Sequence, residues 1–130
     1  MINLKSVQRR NPSDPTAQKK YYATVITAGS TKLKELAEMV ALQTTVSPTD
    51  CHAVLMALEG NVIRELRKGK IVRLGELGSY RLSVHAEGRE TPEDVNTDAV
   101  KKTRIIFRPG EGMSDMLRTL KFKKIQEKSA

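Results

Sequence analysis

One continuous segment, residues 65–84, constrains the fold of this 130-residue chain more than any other. An amphipathic helix ends in Arg67-Lys68-Gly69-Lys70 and runs directly into a short extended run, Ile71 to Leu74. A turn flanked by Gly75 and Gly78 then leads into Ser79 to Val84, where apolar and polar residues alternate. The segment therefore predicts a helix, a tight stop and two strands joined by a turn. Its outward-facing positions are basic or small. This pattern indicates a sheet that packs against the core with one face and binds a polyanion with the other.

Two amphipathic helices are expected ahead of the strands. The first is predicted to begin at a Ser30 or Thr31 cap, before apolar residues at helical spacing. The second has the clearest start in the chain, because Ser47 supplies a capping hydroxyl and Pro48 occupies the first helical position. It is expected to end at Gly69, a left-handed C-cap. The short connection between them predicts an αα-hairpin.

The remaining segments complete an α+β pattern. Strands are predicted on both sides of Asn11-Pro12-Ser13-Asp14-Pro15, a loop of turn-forming residues, so residues 1–29 are expected to form an N-terminal β-hairpin extension. Residues 86–100 are polar, acidic and turn-prone, which predicts an exposed loop or arm. A third strand is expected from Thr103 to Arg108 and a short helix from about Ser114 to Lys121. Residues 123–130 are predicted to be a frayed basic tail.

The charge is strongly positive and unevenly distributed. The net charge is +8 and the pI is about 9.8, so acidic partners are favoured, nucleic acid first and anionic membrane second. Residues 1–28 carry five Lys and Arg against one acid, and residues 99–130 carry nine against three, whereas residues 85–98 carry one against five. Aromatic residues make up only 4% of the chain, and such a small aliphatic core leaves room for dimerisation.

Residues suited to catalysis or to metal binding are sparse. His52 and His85 are far apart in sequence, with no nearby Cys or paired acids, and no glycine-rich loop could cradle a phosphate. Cys51 is the only cysteine, so one chain cannot form a disulfide or a cysteine metal cluster. It falls on the apolar face of the second predicted helix and is therefore expected to be a small core residue. No apolar run approaches the roughly 20 residues that cross a bilayer, and no signal-peptide core is seen. We therefore expect a cytoplasmic protein that is not an enzyme, with no metal, cofactor, membrane partner or small-molecule substrate.

Four short motifs occur in an order that resembles a known family. They are Val46 to Asp50 at the second helix start, Arg67 to Leu74 at its end, Leu77 to Tyr80 at the turn, and Phe107 to Gly110 after the third strand. Together they cover roughly residues 30–122 and resemble the HU/IHF family of bacterial histone-like proteins. The extra N-terminal segment is similar to the HU-related subgroup of Bacteroides-type bacteria.

The resemblance implies a nucleoid-associated DNA-binding domain over residues 30–122, with residues 1–29 and 123–130 as additions. It implies an intertwined homodimer with an αα-hairpin base and a three-stranded antiparallel sheet. Two β-arms would reach around double-stranded DNA and bend it through the minor groove, with little or no sequence specificity.

Candidate DNA-binding residues are the basic side chains of the outer sheet face, the arm and both chain ends. Strand alternation places Arg81, His85, Arg104 and Arg108 on the face opposite the core. The full set is Arg9, Arg10, Arg81, His85, Arg89, Lys101, Lys102, Arg104, Arg108, Lys121, Lys123 and Lys124. Pro92 is the candidate DNA wedge of the arm.

The arm departs from the family pattern, which has basic residues and an Arg-Asn-Pro tip. Here Ala86 to Val100 is shorter and acidic, and acids repel phosphates, so the usual arm grip is not expected to carry over unchanged. Arg10-Asn11-Pro12 reproduces the tip tripeptide within the N-terminal hairpin. Either this match is coincidental, or the hairpin tip supplies a DNA contact that the arm has lost.

Two other binding roles stay open. A protein-interaction module of the same fold would use its acidic arm to bind another protein, with weak or no DNA binding. Charge alone does not separate DNA from RNA, although no aromatic stacking platform is evident because Tyr80 and Phe107 are assigned to the core. A steep salt dependence of duplex binding would favour the DNA-binding role.

Overall fold

The computed structural model describes residues 1–126 and divides into two compact units. The first unit contains Met1–Thr31 and the chain from Leu117 onward, and the second contains Lys32–Met116. In chain order the helices and strands are β1 (Ile2–Arg9), β2 (Lys20–Val25), α1 (Leu33–Gln43), α2 (Pro48–Arg67), β3 (Val72–Arg73), β4 (Gly78–Ala86), β5 (Val100–Pro109), α3 (Glu111–Thr119) and β6 (Phe122–Lys124). The predicted α+β class is confirmed.

The first unit is built on a three-stranded sheet with the order β2-β1-β6. β1 and β2 pair antiparallel, which confirms the predicted N-terminal hairpin. β6 pairs with β1 in parallel, and its start is fixed by the Ile2 N–H, which donates to the Lys121 carbonyl at 2.8 Å. The prediction of a frayed tail from residue 123 is therefore wrong for Lys123 and Lys124, because both belong to a strand ladder. Residues 127–130 of that tail lie outside the described residues.

In the second unit α2 begins and ends as its sequence signals predict. The Ser47 hydroxyl accepts a hydrogen bond from the Asp50 N–H at 3.2 Å, and Pro48 is the first helical residue. This cap satisfies one of the backbone donors that the first turn leaves unpaired. At the other end Gly69 has φ +79°, the left-handed conformation that lets the chain leave the helix and enter β3.

Three other boundaries differ from the prediction. The expected Ser30 or Thr31 cap is wrong, because α1 begins at Leu33 and its N-cap, Lys32, makes no side-chain cap. α3 begins at Glu111, directly after the Gly110 that follows β5, and ends two residues before the predicted Lys121. β5 is longer than predicted, because β4 provides hydrogen-bonding partners over nearly all of its length.

The second sheet has the order β3-β4-β5, with both pairings antiparallel. The turn between β3 and β4 is closed by the Leu74 N–H, which donates to the Gly78 carbonyl at 2.7 Å. Gly78 has φ +143°, and a Cβ there would press on the Arg108 carbonyl oxygen and lie 2.8 Å from the Phe107 ring. Only glycine fits this position, because the neighbouring strand approaches too closely for any side chain.

The arm region is a turn-rich loop. β4 and β5 pair as far as Ala86 and Val100, and the Glu87 N–H donates to the Ala99 carbonyl at 2.8 Å. Between these residues the chain forms two short 3₁₀ turns, Pro92–Asp94 and Thr97–Ala99. The predicted exposed loop is thus confirmed, whereas residues 87–99 do not form the two extended strands of the β-arm that the resemblance implies.

Few side chains are buried within one chain. Among the described residues the buried apolar side chains are Ala37, Cys51, Leu66 and Ala99, which confirms Cys51 as a core residue. The chain exposes 11283 Å² of accessible surface, whereas a compact folded chain of its 14.5 kDa mass exposes about 6,900 Å². The chain therefore exposes more surface than a compact chain of this mass, and its exposed side chains include large apolar ones such as Val54 and Ile63.

Candidate nucleic-acid interface

The register of the second sheet sorts its side chains onto two chemically different faces. Directly paired residues on neighbouring strands share a face, and the face alternates along each strand. One face therefore contains the pairs Ser79–Arg108, Arg81–Ile106, Ser83–Arg104 and His85–Lys102, together with Arg73, which pairs with Ser79. We call this set the β4–β5 basic face. It holds five Lys and Arg residues and no acid.

The opposite face of the sheet is apolar. Tyr80 pairs with Phe107, with ring centroids 5.1 Å apart in a tilted arrangement, and Leu82 pairs with Ile105. Tyr80 lies beside α2, where it lines a pocket together with Leu58. Farther along β4 and β5 the apolar side chains of this face, Leu82 and Ile105, remain about half exposed in a single chain. The predicted two-faced sheet is confirmed, with Arg81, His85, Arg104 and Arg108 on the side opposite the apolar residues.

On the basic face the cations are staggered. Each Arg lies directly opposite a serine or an isoleucine, so no two Lys or Arg side chains are paired across the strands. This arrangement avoids the direct like-charge pairs that destabilise sheets. Along β5 it places Lys102 and Arg104 about 7 Å apart and Arg104 and Arg108 about 14 Å apart, the spacing of two and four strand residues. A ligand with repeated negative charges can contact several of these cations together.

Arg73 is a member of this face that sequence reasoning missed. It and Arg108 flank Ser79 from the two neighbouring strands, and the backbone of Gly75 and Gly110 completes a shallow pocket beside them. The available signal was the alternation of Arg73 with Val72 and Leu74, which is the same period-2 pattern used to assign Arg81.

Two predicted binding residues are engaged by acids of the loop. The Arg89 guanidinium lies 3.7 Å from a Glu87 carboxylate oxygen and 3.4 Å from Asp98, and the Lys101 ammonium lies 3.0 Å from Glu87. Lys101 is also the residue that the bulge leaves without a partner on β4. The structure therefore separates Arg89 and Lys101 from the β4–β5 basic face and offsets their charge locally. Pro92 is exposed at the start of a 3₁₀ turn, next to two acids.

The other predicted residues, Arg9, Arg10, Lys121, Lys123 and Lys124, all belong to the first unit. In the Arg10-Asn11-Pro12 tripeptide that follows β1, Asn11 has a local structural role. Its side-chain carbonyl accepts a hydrogen bond from the Ser13 N–H at 2.9 Å, which closes a turn. The predicted binding set is thus divided between two units.

Other classes of site were sought in the described part of the chain. Residues 1–126 contain no group of three or more His, Cys, Asp or Glu side chains that could hold a metal ion. Within the same residues, no helix has the length and apolar character required to cross a membrane.

A two-faced antiparallel sheet beside a helical hairpin is the arrangement that the resemblance to histone-like proteins implies. The chain belongs to the family described as an HU domain fused to a winged helix-turn-helix, Ig or glycine-rich motif, whose model matches residues 1–124. The resemblance to histone-like proteins is therefore confirmed.

Two solved structures share the fold. A putative bacterial DNA-binding protein from Bacteroides vulgatus is 14% identical with a TM-score of 0.67, and the match covers 98% of this chain and 50% of that one. This chain thus spans half the length of that protein. Anabaena HU, in a cocrystal with DNA, is 21% identical with a TM-score of 0.54, over 69% of this chain and all of that one. No curated protein sequence matches significantly.

Proposed function

We propose that this protein binds double-stranded DNA with little sequence specificity through the β4–β5 basic face of a homodimer, as a nucleoid-associated protein of the cytoplasm. The observation that carries the proposal is the register, which gathers five Lys and Arg side chains and no acid on one face of a sheet. Such cations contact phosphates and give affinity without reading sequence. The family, and the DNA bound to Anabaena HU, support the same ligand.

The homodimer is supported by the uncovered apolar surface. The excess of about 4,400 Å² over a compact chain is larger than the 1,000–2,500 Å² that each partner of an obligate dimer typically contributes. Val54 and Ile63 on α2 are each about 60% exposed, and the far end of the apolar sheet face is half exposed. A second copy would cover both surfaces and hold two basic faces together.

Bending is the finer part of the proposal. Pro92 is the exposed residue of the loop best suited to wedge between base pairs, yet its neighbours Glu93 and Asp94 repel phosphates. We therefore expect a modest bend, measured by fluorescence energy transfer across a short duplex. A Pro92→Ala variant should reduce the bend while leaving affinity almost unchanged.

Duplex binding measured against salt tests the proposal. Replacing Arg81, Arg104 and Arg108 together by Gln should reduce the slope of log affinity against log salt by about 2.7 per chain, because each phosphate contact contributes about 0.9. The matched control replaces Lys32, Lys34 and Arg67, which lie off this face, and should change the slope little.

An equal effect of both triple variants would refute the assignment of the face. Weak duplex binding with a shallow slope in the wild-type protein would favour the alternative, a protein-interaction module that uses its acidic loop. That loop exposes Glu90, Glu93 and Asp94, which form no ion pair with any described residue.

A further inference from the structure

The excess positive charge of the chain lies in the first unit. The described residues of that unit contain nine Lys and Arg side chains and a single acid, Asp14. The second unit contains 13 Lys and Arg side chains and 13 acids, so it is balanced overall. The electrostatic signature of a polyanion-binding protein is therefore concentrated in the first unit.

The register of the first sheet gathers much of this charge on one face. Arg9 pairs with Lys20, Val7 with Tyr22, Lys5 with Thr24, and Asn3 with Lys123. Because paired residues share a face and alternate residues return to it, four cations lie on the same side of the sheet. We call Lys5, Arg9, Lys20, Lys123 and Tyr22 the β1–β2 basic face. Ile2, Leu4, Val25 and Phe122 lie on the opposite side.

The cations of this face are available to a ligand. Arg9, Lys20 and Lys123 are exposed, and among the described residues no carboxylate forms an ion pair with them. Among the described residues of the unit the one acid, Asp14, is held by Thr16, whose hydroxyl donates to its carboxylate at 2.6 Å. That hydrogen bond lowers the pKa of Asp14 below its ordinary value.

Tyr22 gives the face a second kind of contact. Its side chain is 49% exposed in the middle of β2, between Lys20 and Thr24, the residue that pairs with Lys5. The sequence predicts no exposed aromatic platform, and the structure corrects this, because the antiparallel register turns Tyr22 toward the cations. An exposed ring beside a cationic groove is the combination that proteins use to hold nucleotides.

We propose that the β1–β2 basic face is a second nucleic-acid-binding site that contacts the phosphate backbone. It goes beyond the DNA contact proposed for the β4–β5 basic face, because it lies in a different unit and uses different residues. From the Asn3–Lys123 pair to the Arg9–Lys20 pair the cations extend over six residues of β1, about 20 Å. Measured along the axis of a B-form duplex, that length covers about six phosphates of one strand at about 3.4 Å each, and it is too long for a single small anion.

The distribution of apolar residues favours nucleic acid over a membrane surface. A membrane-binding face combines cations with apolar side chains that enter the lipid. Here the apolar residues Ile2, Leu4 and Phe122 lie on the side opposite the cations. The basic face itself offers Val7 and Tyr22, which is little apolar area for insertion.

The test compares triple variants of the full chain in duplex binding against salt. Replacing Arg9, Lys20 and Lys123 by Gln should reduce the salt slope by about 2.7 per chain and lower affinity by roughly 500-fold at ~0.1 M salt. The control is the triple variant of Lys32, Lys34 and Arg67 described above, which removes the same charge. A slope equal to that of the control would overturn the proposal.

The β4–β5 variant, measured in parallel, separates this inference from the proposed function. Loss of binding in the β4–β5 variant alone would overturn the second site and leave the proposed function intact. Loss in the β1–β2 variant alone would support the second site while removing the role of the β4–β5 basic face. Losses in both would support two sites.

A second experiment distinguishes double-stranded from single-stranded nucleic acid as the ligand. Tyr22→Leu should weaken binding to a single-stranded oligonucleotide by roughly 5- to 150-fold if the ring stacks on an unpaired base, because such stacking is worth about 1–3 kcal/mol. An equal, small effect on duplex and single strand would leave phosphate contact as the mechanism and favour duplex DNA. Binding to phosphatidylserine vesicles that needs these cations, with DNA binding unaffected in the triple variant, would overturn the proposal.

Discussion

The half-exposed apolar face of the second sheet makes a sharp prediction about assembly. Leu82 is 45% exposed on that face, and Ile106 is 38% exposed on the basic face of the neighbouring strand. Both are aliphatic residues in the middle of a strand with similar exposure within one chain. If a second copy covers the apolar face, Leu82→Gln should weaken the dimer strongly, whereas Ile106→Gln should have a much smaller effect.

The magnitude follows from the exposed fraction. Covering the remaining half of a leucine is worth about 1 kcal/mol, and a glutamine amide left unsatisfied there costs about 1–3 kcal/mol more. The loss is about 2–4 kcal/mol per chain and about 4–8 kcal/mol per dimer. The dimer Kd should therefore rise by about 10³- to 10⁶-fold.

Sedimentation equilibrium across a range of concentrations measures this change directly, with chemical unfolding as a second readout. The unfolding midpoint of the wild-type protein should rise with protein concentration, because a dimer that binds only folded chains shifts the equilibrium by mass action. A monomeric wild-type protein at micromolar concentration would refute the reasoning. Equal Kd values for Leu82→Gln and Ile106→Gln would also refute it.

Further predictions concern single positions. Gly78→Ala should cost about 3 kcal/mol or more in chemical unfolding, because the methyl group meets a backbone carbonyl and φ is strained. Gly60→Ala, in open space within α2, should instead stabilise by about 0.5–1 kcal/mol. Ser47→Ala should cost about 1 kcal/mol in the same assay through loss of the α2 cap. Glu65 accepts hydrogen bonds from Lys68 and Lys70, and these bonds lower the pKa of its carboxyl group. The ionised Glu65 therefore stabilises the fold above its ordinary pKa of 4.5. This stabilisation is lost as the pH falls through the lowered pKa. Unfolding midpoints of Glu65→Gln and the wild-type protein should thus differ slightly at pH 7 and converge in acid. Glu87→Gln should free Lys101, whereas Arg89 keeps its ion pair with Asp98, and should steepen the salt slope of duplex binding by up to about 0.9 per chain; an unchanged slope would mean that Lys101 does not reach phosphate.

Local signals predicted the second unit well. The start of α2 and its end at Gly69 depend on capping residues within a few positions of each other, and the structure reproduces both. The two faces of β4 and β5 follow from alternation, which needs no knowledge of the partner strand. For this reason alternation alone predicts that Arg81 and Arg104 both lie opposite the apolar residues of their strands.

The long-range pairing of β6 with β1 could not be predicted from the sequence. β6 is three residues long and pairs with β1 across more than 100 positions, so no local pattern marks it as a strand. The same register decides that Lys123 and Lys124 point to opposite sides of the sheet. The ion pairs of Glu87 were missed for a related reason, because the loop must first fold back through its 3₁₀ turns to bring Asp98 near Arg89.

The charge distribution suggests how the two proposed surfaces would divide the work of binding. Beyond about 10 Å at ordinary salt, a phosphate responds only weakly to individual surface charges, so the balanced second unit exerts little attraction at a distance. Its basic face becomes effective once DNA is in contact, where the local order of Arg81, Arg104 and Arg108 outweighs the acids elsewhere in the unit. The described residues of the first unit carry nine Lys and Arg side chains against one acid, so within that screening distance its net charge would attract a polyanion more strongly. An arm whose cations are neutralised by Glu87 would then be compatible with DNA binding, because the N-terminal sheet supplies the attraction that the arm does not.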